Sequence, residues 1–184
     1  MVINLLFSMM KKLIFNFLLI VQVIGFGQND TLRNYHANGQ LESIGVLIDN
    51  KKEGLWMYYN YDGFLRQSIN YKNDKFNGLW TNYIINKKNK LVRNENVYVN
   101  GRREGLWKYY VDNKLIKEGY IKNKMRQKIW KYYYDNGQLK KETKWKDDKE
   151  IYSRYWNENG NEINKEIYYS YWDVNGNKIE NSKL

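Results

Sequence analysis

The chain has 184 residues and a formal net charge of +11 at pH 7, from 31 Lys and Arg against 20 Asp and Glu. Its 18 Tyr and 7 Trp supply too much ring surface for a disordered tail, so we expect a folded chain. The absence of Cys excludes a disulfide framework, a zinc knuckle and a thiol nucleophile. The length suits one domain or one continuous repeat array.

The amino terminus has the pattern of a signal peptide. Lys11 and Lys12 precede an apolar run, residues 13–27, that ends in small residues and is short for a membrane span, which needs about 20 residues. We predict a signal helix over residues 1–27, cleavage after Gly27, and export to the periplasm, cell envelope or exterior of a bacterium. An uncleaved anchor and a later start codon stay open. Cleavage removes two Lys and no acid, so the formal charge falls from +11 to +9.

Internal repeats dominate the rest of the chain. The stretch GLWKYYVDNKL, residues 105–115, has six relatives, at residues 33–41, 54–65, 78–91, 128–139, 153–163 and 169–179. Between them run short β-favouring segments that end in polar loops, and no stretch after residue 27 has a helical period with caps. This pattern predicts an all-β fold: an elongated antiparallel β-meander of about six to seven tandem β-hairpins over residues 28–184.

Dipeptides that tolerate positive φ mark the predicted turns. They are Asn38-Gly39, Asp62-Gly63, Asn136-Gly137, Asn159-Gly160 and Asn175-Gly176 at one end of the repeats, and Asn100-Gly101 at the other. We expect each pair to close a tight hairpin.

Aligned copies resolve into columns of rings, because side chains alternate across a strand. Within residues 105–115, Trp107 and Tyr109 point to one face, and Lys108 and Tyr110 to the other. One column is aromatic in all seven copies, and we predict that it forms a stacked structural ladder: Tyr35, Tyr59, Tyr83, Tyr110, Tyr133, Trp156 and Trp172. The neighbouring column varies more, so Tyr58, Tyr109 and Tyr132 are predicted to be more solvated and to contact a partner.

Positive charge concentrates in residues 122–146, which hold nine Lys or Arg against two acids. The candidate binding lysines are Lys108, Lys131, Lys140, Lys144 and Lys146. A cationic face with interleaved rings suits anionic lipid head groups or acidic glycan, and the predicted export argues against nucleic acid. The alternative is that these lysines only solvate the strands and block edge pairing.

The unit G-L-W-x-Y-Y-x-x-N-G-x-L resembles the MORN-repeat variant that is common in bacteria. The resemblance covers about residues 32–180 and rests on Gly54-Leu55-Trp56, Gly78-Leu79-Trp80, Gly105-Leu106-Trp107, Asn38-Gly39-Gln40-Leu41 and Asn136-Gly137-Gln138-Leu139. It implies hairpins stacked into an elongated sheet, no catalytic residues, and contact with proteins or membrane lipids; some bacterial members are labelled antitoxin-like. The copies depart from the pattern at Lys128, Ile151, Ser153 and residues 87–90, so we expect irregularity near residues 86–92 and 147–153.

The sequence points to no catalytic residue, cofactor or metal site. His36 is the single histidine and has no Cys to complete a metal cluster, and no glycine-rich phosphate loop precedes a helix. We therefore predict a non-catalytic exported repeat scaffold that binds a protein or an envelope surface. Two alternatives stay open: an aromatic ligand-binding module for cell-wall glycan or anionic lipid head groups, and an antitoxin or immunity partner. The partner's identity and the oligomeric state also stay open.

Overall fold

Twelve antiparallel strands form one open sheet in the computed structural model of the chain, which describes residues 30–166 and 168. Each strand pairs with its neighbours in sequence, so the order across the sheet is the order along the chain. The strands are β1 (Thr31–Tyr35), β2 (Leu41–Ile48), β3 (Lys51–Tyr59), β4 (Leu65–Lys72), β5 (Lys75–Ile85), β6 (Leu91–Val99), β7 (Arg102–Val111), β8 (Lys114–Lys122), β9 (Met125–Tyr133), β10 (Leu139–Lys146), β11 (Lys149–Trp156) and β12 (Glu162–Ile163). The prediction of an all-β antiparallel meander with almost no helix is confirmed.

The strand register divides the sheet into two faces, because directly opposed residues of an antiparallel pair share a face. A row of opposed residues crosses six strands from β3 to β8: Trp56, Ile69, Trp80, Asn96, Trp107 and Gly119. We call this side the tryptophan face. The side that carries Lys108 and Glu118 is the charged face. Most buried side chains, among them Trp56, Ile69 and Thr143, lie on the tryptophan face.

Five hairpins at one end of the strands are closed by three-residue loops of the same geometry. With the hydrogen-bonded residue on either side, these loops span residues 36–40, 60–64, 86–90, 134–138 and 157–161. In each loop the amide of the first residue donates to the carbonyl of the fifth, at 2.8–3.0 Å, and the amide of the fourth donates back to the carbonyl of the first. The fourth residue has positive φ and is Gly in four loops and Asn89 in the other. The Asn-Gly and Asp-Gly pairs here therefore close three-residue loops in which only the second member has positive φ.

Two-residue turns close the remaining described hairpins, and both of their residues have positive φ. The pairs are Asp49-Asn50, Asn73-Asp74, Asn100-Gly101, Asp112-Asn113, Asn123-Lys124 and Asp147-Asp148. This is the type I′ geometry that matches strand twist. Of these pairs, only Asn100-Gly101 was predicted from the sequence as a turn. Apart from Lys124, the others use Asn and Asp, whose short polar side chains tolerate the left-handed region without glycine.

Each of β3, β5, β7 and β9 carries the same bulge just before its tryptophan. Between the pairs Ile44↔Met57 and Val46↔Glu53, for example, β3 has two more residues than β2. The bulge needs positive φ at one residue, which is Gly54, Gly78 or Gly105 in three strands and Lys128 in the fourth. Lys128 departs from the repeat in residue type and keeps the backbone geometry.

The two expected irregularities turn out differently. Residues 86–90 form the same three-residue loop as the other copies, and the added residues lengthen β5 to 11 residues. Near residues 147–153, β11 has only one extra residue against β10, between the pairs Lys144↔Tyr152 and Trp145↔Glu150, so this bulge does differ. Ile151 occupies the repeat position that is glycine in β3, β5 and β7, where glycine permits a bulge of two extra residues.

The last described residues leave the sheet. β12 has only two residues, and helical residues at 165, 166 and 168 follow it. The Tyr168 ring is buried and lies 4.5 Å from the Tyr155 ring, centroid to centroid. The predicted signal peptide (residues 1–27) and the seventh copy (residues 169–179), with Trp172 and Asn175-Gly176, lie outside the described residues. Within the described ones, no helix is long and apolar enough to cross a membrane.

We predict that Lys128→Gly is more stable than Lys128→Ala by about 1 kcal/mol. Both variants lose the contact between the Lys128 ammonium and the Tyr120 ring, 3.9 Å apart, but only Ala keeps a Cβ at φ 60°. Urea unfolding measures the difference. The same pair of substitutions at Lys131, in the extended part of β9, should reverse the order, because glycine weakens a strand interior. A more stable Ala variant at residue 128 would contradict the bulge geometry.

Candidate functional site

The tightest packing on the tryptophan face joins a tryptophan to a glycine of the preceding strand. Trp56 is 1% exposed, and its ring lies over Gly45 so closely that no Cβ would fit there. Trp130 is 6% exposed and repeats the arrangement over Gly119. Each indole Nε1 donates to the carbonyl of the residue after its glycine, at 3.1 Å for Trp56 and 3.2 Å for Trp130. Glycine thus provides the space in which an indole ring can be buried on a single strand.

The other two central tryptophans lack this glycine and stay half-buried. Trp80 opposes Ile69 in the preceding strand, and Trp107 opposes Asn96. Trp107 instead stacks on Trp130, with ring centroids 5.3 Å apart, because Gly119 on the strand between them has no side chain. This packing of tryptophan against glycine was not predicted from the sequence. The available signal was a glycine inside the β-favouring segments ESIGV and IKEGY, which lacks any turn context.

Tyr58, Tyr109 and Tyr132, predicted as contact residues, all lie on the tryptophan face and are half-buried. Each has a lysine of the chain over its ring. The ammonium-to-centroid distances are 5.2 Å for Lys52 over Tyr58, 5.1 Å for Lys117 over Tyr109 and 5.9 Å for Lys141 over Tyr132. Burial lowers the pKa of the Lys117 ammonium. These ring faces are therefore already in contact with cations.

Lys52 shows the arrangement most completely. Its ammonium lies 4.5 Å from the Trp56 ring centroid and 5.2 Å from that of Tyr71, and it donates a 2.8 Å hydrogen bond to the Tyr58 hydroxyl. Tyr58 and Tyr71 hydroxyls lie 3.1 Å apart. Burial, followed by the Tyr58 hydrogen bond, raises the pKa of Tyr71. The cluster is an internally satisfied unit of one amine and three rings.

A row of alternating charge crosses the charged face. Directly opposed residues run from β6 to β11 in the order Glu95, Lys108, Glu118, Lys131, Glu142 and Arg154. Arg154 then donates two hydrogen bonds to the Glu162 carboxylate, at 2.6 and 2.9 Å. Opposite charges that face each other across strands stabilise a sheet by a few tenths of a kcal/mol per pair. Lys108 and Lys131, predicted as binding lysines, each stand between two acids in this row.

The column predicted as a structural ladder lies beside that row on the charged face. The Tyr110 hydroxyl donates to Glu95 at 3.4 Å and the Tyr133 hydroxyl to Glu118 at 2.7 Å. Tyr35 is 58% exposed, whereas the other described members of the column are half-buried. No ring contact joins two of the described members to each other. A purely structural role for the column stays a prediction.

The remaining predicted lysines are placed separately. Lys144 and Lys146 are exposed and alternate with Trp145, which puts them on the charged face. Lys140 lies beside the Tyr134 ring, 5.3 Å from its centroid. The structure thus divides the predicted binding set: its three tyrosines lie on the tryptophan face, and Lys108, Lys131, Lys144 and Lys146 on the charged face. The set does not form one surface.

A row of apolar side chains borders the charges on the charged face. Leu79 opposes Val97, and Leu106 opposes Tyr120. Leu79 and Leu106 are each 44% exposed, and Tyr152 further along this face is 41% exposed. Apolar groups that recur on one face are a more specific feature than single exposed leucines. The exposure of these leucines was not predicted from the sequence, because the aligned columns were compared for aromatic residues.

The chemistry-bearing residues of the described ranges are dispersed. No group of three or more His, Cys, Asp or Glu there could hold a metal ion. His36 Nε2 lies 3.1 Å from the Tyr59 carbonyl, and its ring lies 5.1 Å from the Tyr61 ring, centroid to centroid. These contacts link the first loop to the second, which is a structural use of the side chain.

No protein-family model matches the chain, and no curated protein matches it. The resemblance to MORN-variant repeats therefore stays a prediction from the motifs.

We predict that Gly119→Ala destabilises the fold by about 2 kcal/mol, because the new Cβ would overlap the Trp130 ring. Trp130→Leu removes that ring, so Gly119→Ala should cost far less in the Trp130→Leu background. A double-mutant cycle by urea unfolding measures the coupling. Equal costs in both backgrounds would contradict direct packing of the indole on the glycine.

We predict that Tyr133→Phe lowers stability at pH 7 by about 1 kcal/mol, the typical contribution of one hydrogen bond. Burial, and then the Glu118 hydrogen bond, raise the pKa of the Tyr133 phenol. Its stabilisation is therefore complete below the unfolded-state pKa, about 10, and decreases as the pH rises above that value. Unfolding of the wild type should accordingly show a steeper loss of stability above pH 10 than unfolding of Tyr133→Phe.

Tyr35→Phe is the matched control, since the exposed Tyr35 hydroxyl has no hydrogen bond within the described residues. It should change neither the stability at pH 7 nor the alkaline slope. A Tyr133→Phe profile that coincides with that of Tyr35→Phe would refute the assigned hydrogen bond.

Proposed function

We propose that the protein is a non-catalytic, exported scaffold that binds a protein partner through the charged face of its sheet. The observation that carries the proposal is the row of apolar residues in which Leu79 and Leu106 are exposed, beside the alternating charges of that face. An interface typically combines an apolar centre with a polar rim. The two rows supply both elements on one surface.

The charge row favours a protein over a lipid surface. An anionic membrane attracts an excess of positive charge, whereas Glu95, Glu118 and Glu142 interrupt the lysines at every second strand. A pattern of both signs is instead suited to a partner with the complementary pattern, where it sets register and excludes wrong partners. Lys144 and Lys146, next to Tyr152, extend this surface beyond the central row.

The contacts of the tryptophan face disfavour the aromatic ligand-binding alternative. A choline or sugar ligand would have to displace Lys52, Lys117 or Lys141 from the rings of Tyr58, Tyr109 and Tyr132. We therefore assign these tyrosines to internal packing in the proposal and the partner to the other face. The antitoxin alternative conflicts with the predicted export.

The proposal includes an elongated array of MORN-variant hairpins behind a signal segment. The Gly-Leu-Trp motifs support it, because their glycines lie in the recurrent bulges and two of their three leucines, Leu79 and Leu106, are exposed on the charged face. An array of this kind presents the same surface at each repeat, and weak contacts at successive repeats add up.

We expect a photo-crosslinking amino acid at Leu106 of the full chain, expressed in its native cell, to trap one discrete envelope protein. The same group at Tyr109, on the opposite face, is the control and should trap none. Capture through position 106 should fall at least tenfold, equivalent to about 1.4 kcal/mol, when Leu79→Asp is added, with an unchanged melting temperature. Crosslinking through Tyr109 alone would place the partner on the tryptophan face. A cytoplasmic location of the uncleaved chain on fractionation would contradict export.

A further inference from the structure

Two of the two-residue turns at one end of the sheet are joined to an earlier strand by an aspartate side chain and a backbone hydrogen bond. Of these two links, the turn at Gly101 has only the backbone bond, to the Phe76 carbonyl at 2.8 Å, and within the described residues the turn at Lys124 has neither. At the first junction the Lys52 amide donates to the Asp74 carboxylate at 2.7 Å, and the Asp74 amide donates to the Lys52 carbonyl at 3.1 Å. At the last junction Arg126 and Asp148 make the same two bonds, at 2.9 and 3.2 Å. An aspartate in the turn thus joins two repeats through a charge-assisted hydrogen bond.

The junction between Arg103 and Lys124 is equivalent in position and different in chemistry. Arg103 stands two residues after its turn and opposes Tyr98, just as Lys52 stands two residues after its turn and opposes Leu47. Lys124 occupies the turn position of Asp74 and Asp148, so no carboxylate is present. Among the described residues, no backbone bond joins the Lys124 amide to the Arg103 carbonyl.

A cleft of about 470 Å³ opens at this junction. It is lined by Tyr98, Gly101, Arg102, Arg103, Asn123 and Lys124. Three of these residues are cations and none is an acid. The nearby carboxylate of Glu104 is bound to the Lys122 ammonium at 2.9 Å. The cleft therefore has a concentrated positive charge.

Arg103 is the described residue of this cleft that has a buried, unsatisfied hydrogen-bond donor. Its Nε is buried and has no hydrogen-bond partner within the described residues. Arg126, its equivalent, donates from Nε to the Asp148 carboxylate at 2.8 Å. Burial lowers the pKa of the Arg103 guanidinium, and an anion would offset that cost.

We propose that this cleft is an oxyanion site, in which a carboxylate or phosphate group from outside the chain takes the place that the Asp74 and Asp148 side chains fill at the equivalent junctions. Arg103 offers a planar set of donors that matches either group, and Lys124 offers an ammonium from the turn. The site is independent of the protein-binding surface proposed above, because Arg103 lies on the tryptophan face.

The direct test is nitrogen-15 NMR of the full chain during titration with sodium phosphate, sodium acetate or sodium chloride at constant ionic strength. We expect the Arg103 Nε–H signal to shift and saturate with an oxyanion, with half-saturation on the order of 1 mM, and not with chloride. Arg126 Nε–H is the internal control, since its partner is already present. A lower half-saturation for phosphate assigns a phosphate ligand, and one for acetate assigns a carboxylate. No response beyond that of chloride overturns the site.

Lys124→Asp is the decisive variant, because aspartate is what the chain has at this turn position in the two junctions that carry a carboxylate, at Asp74 and Asp148. It should abolish the Arg103 response to oxyanions and raise the melting temperature in phosphate-free buffer. Lys124→Ala should keep the response at a higher half-saturation, since it removes one cation without filling the site. An undiminished response of Lys124→Asp would overturn the assignment, and the Arg126 signal reports whether each variant is folded.

Discussion

The recurrent bulge before each tryptophan is the constraint on which the rest of the sheet depends. In each of β3, β5, β7 and β9 the bulge adds two residues, an even number, so the side chains on either side of it keep the same alternation between the faces. The local twist increases at the bulge. The bulge requires positive φ, which explains the glycine of the Gly-Leu-Trp motif. It also fixes the position of the tryptophan relative to the strand before it. The burial of Trp56 and Trp130, the cation–ring contacts and the charge row all follow from that register.

The fold class and the strand order followed from the sequence because both depend on local signals. Alternating rings and β-favouring residues set the strands, and a meander is what short connections between sequential strands produce. The turn types followed less well. Asn123-Lys124 and Asp147-Asp148 contain no glycine, so Asn-Gly and Asp-Gly pairs do not mark them. Of the predicted pairs within the described residues, only Asn100-Gly101 closes a two-residue turn, and the others close longer loops.

The candidate site was the feature least predictable from the sequence. A column alignment places Tyr109 and Tyr110 on opposite faces correctly, but it gives no information about what lies on the neighbouring strand. Lys117 over Tyr109 and Glu95 against Tyr110 are cross-strand contacts, which depend on register and bulge size together. Trp130 can be buried because Gly119 on the neighbouring strand has no side chain. A comparison of aromatic positions takes no account of that glycine.

The two faces therefore perform different tasks on the same strands. The tryptophan face pairs rings with ammonium groups and glycines, and the Lys52 ammonium and the Trp56 and Trp130 indoles donate hydrogen bonds within the chain. The charged face spreads its charges in a regular order and leaves leucines exposed between them. A repeat protein that keeps its packing on one side is free to vary residues on the other without loss of the array.

The alternating charge row also constrains how such a chain can grow. From β6 onward, each odd-numbered strand contributes a base and each even-numbered strand an acid. Duplication of a two-strand unit preserves this order, whereas insertion or loss of a single strand brings two like charges face to face and reverses the chain direction as well. The hairpin is thus both the structural repeat and the segment that is duplicated as a whole. The number of strands in such an array should therefore change by two at a time.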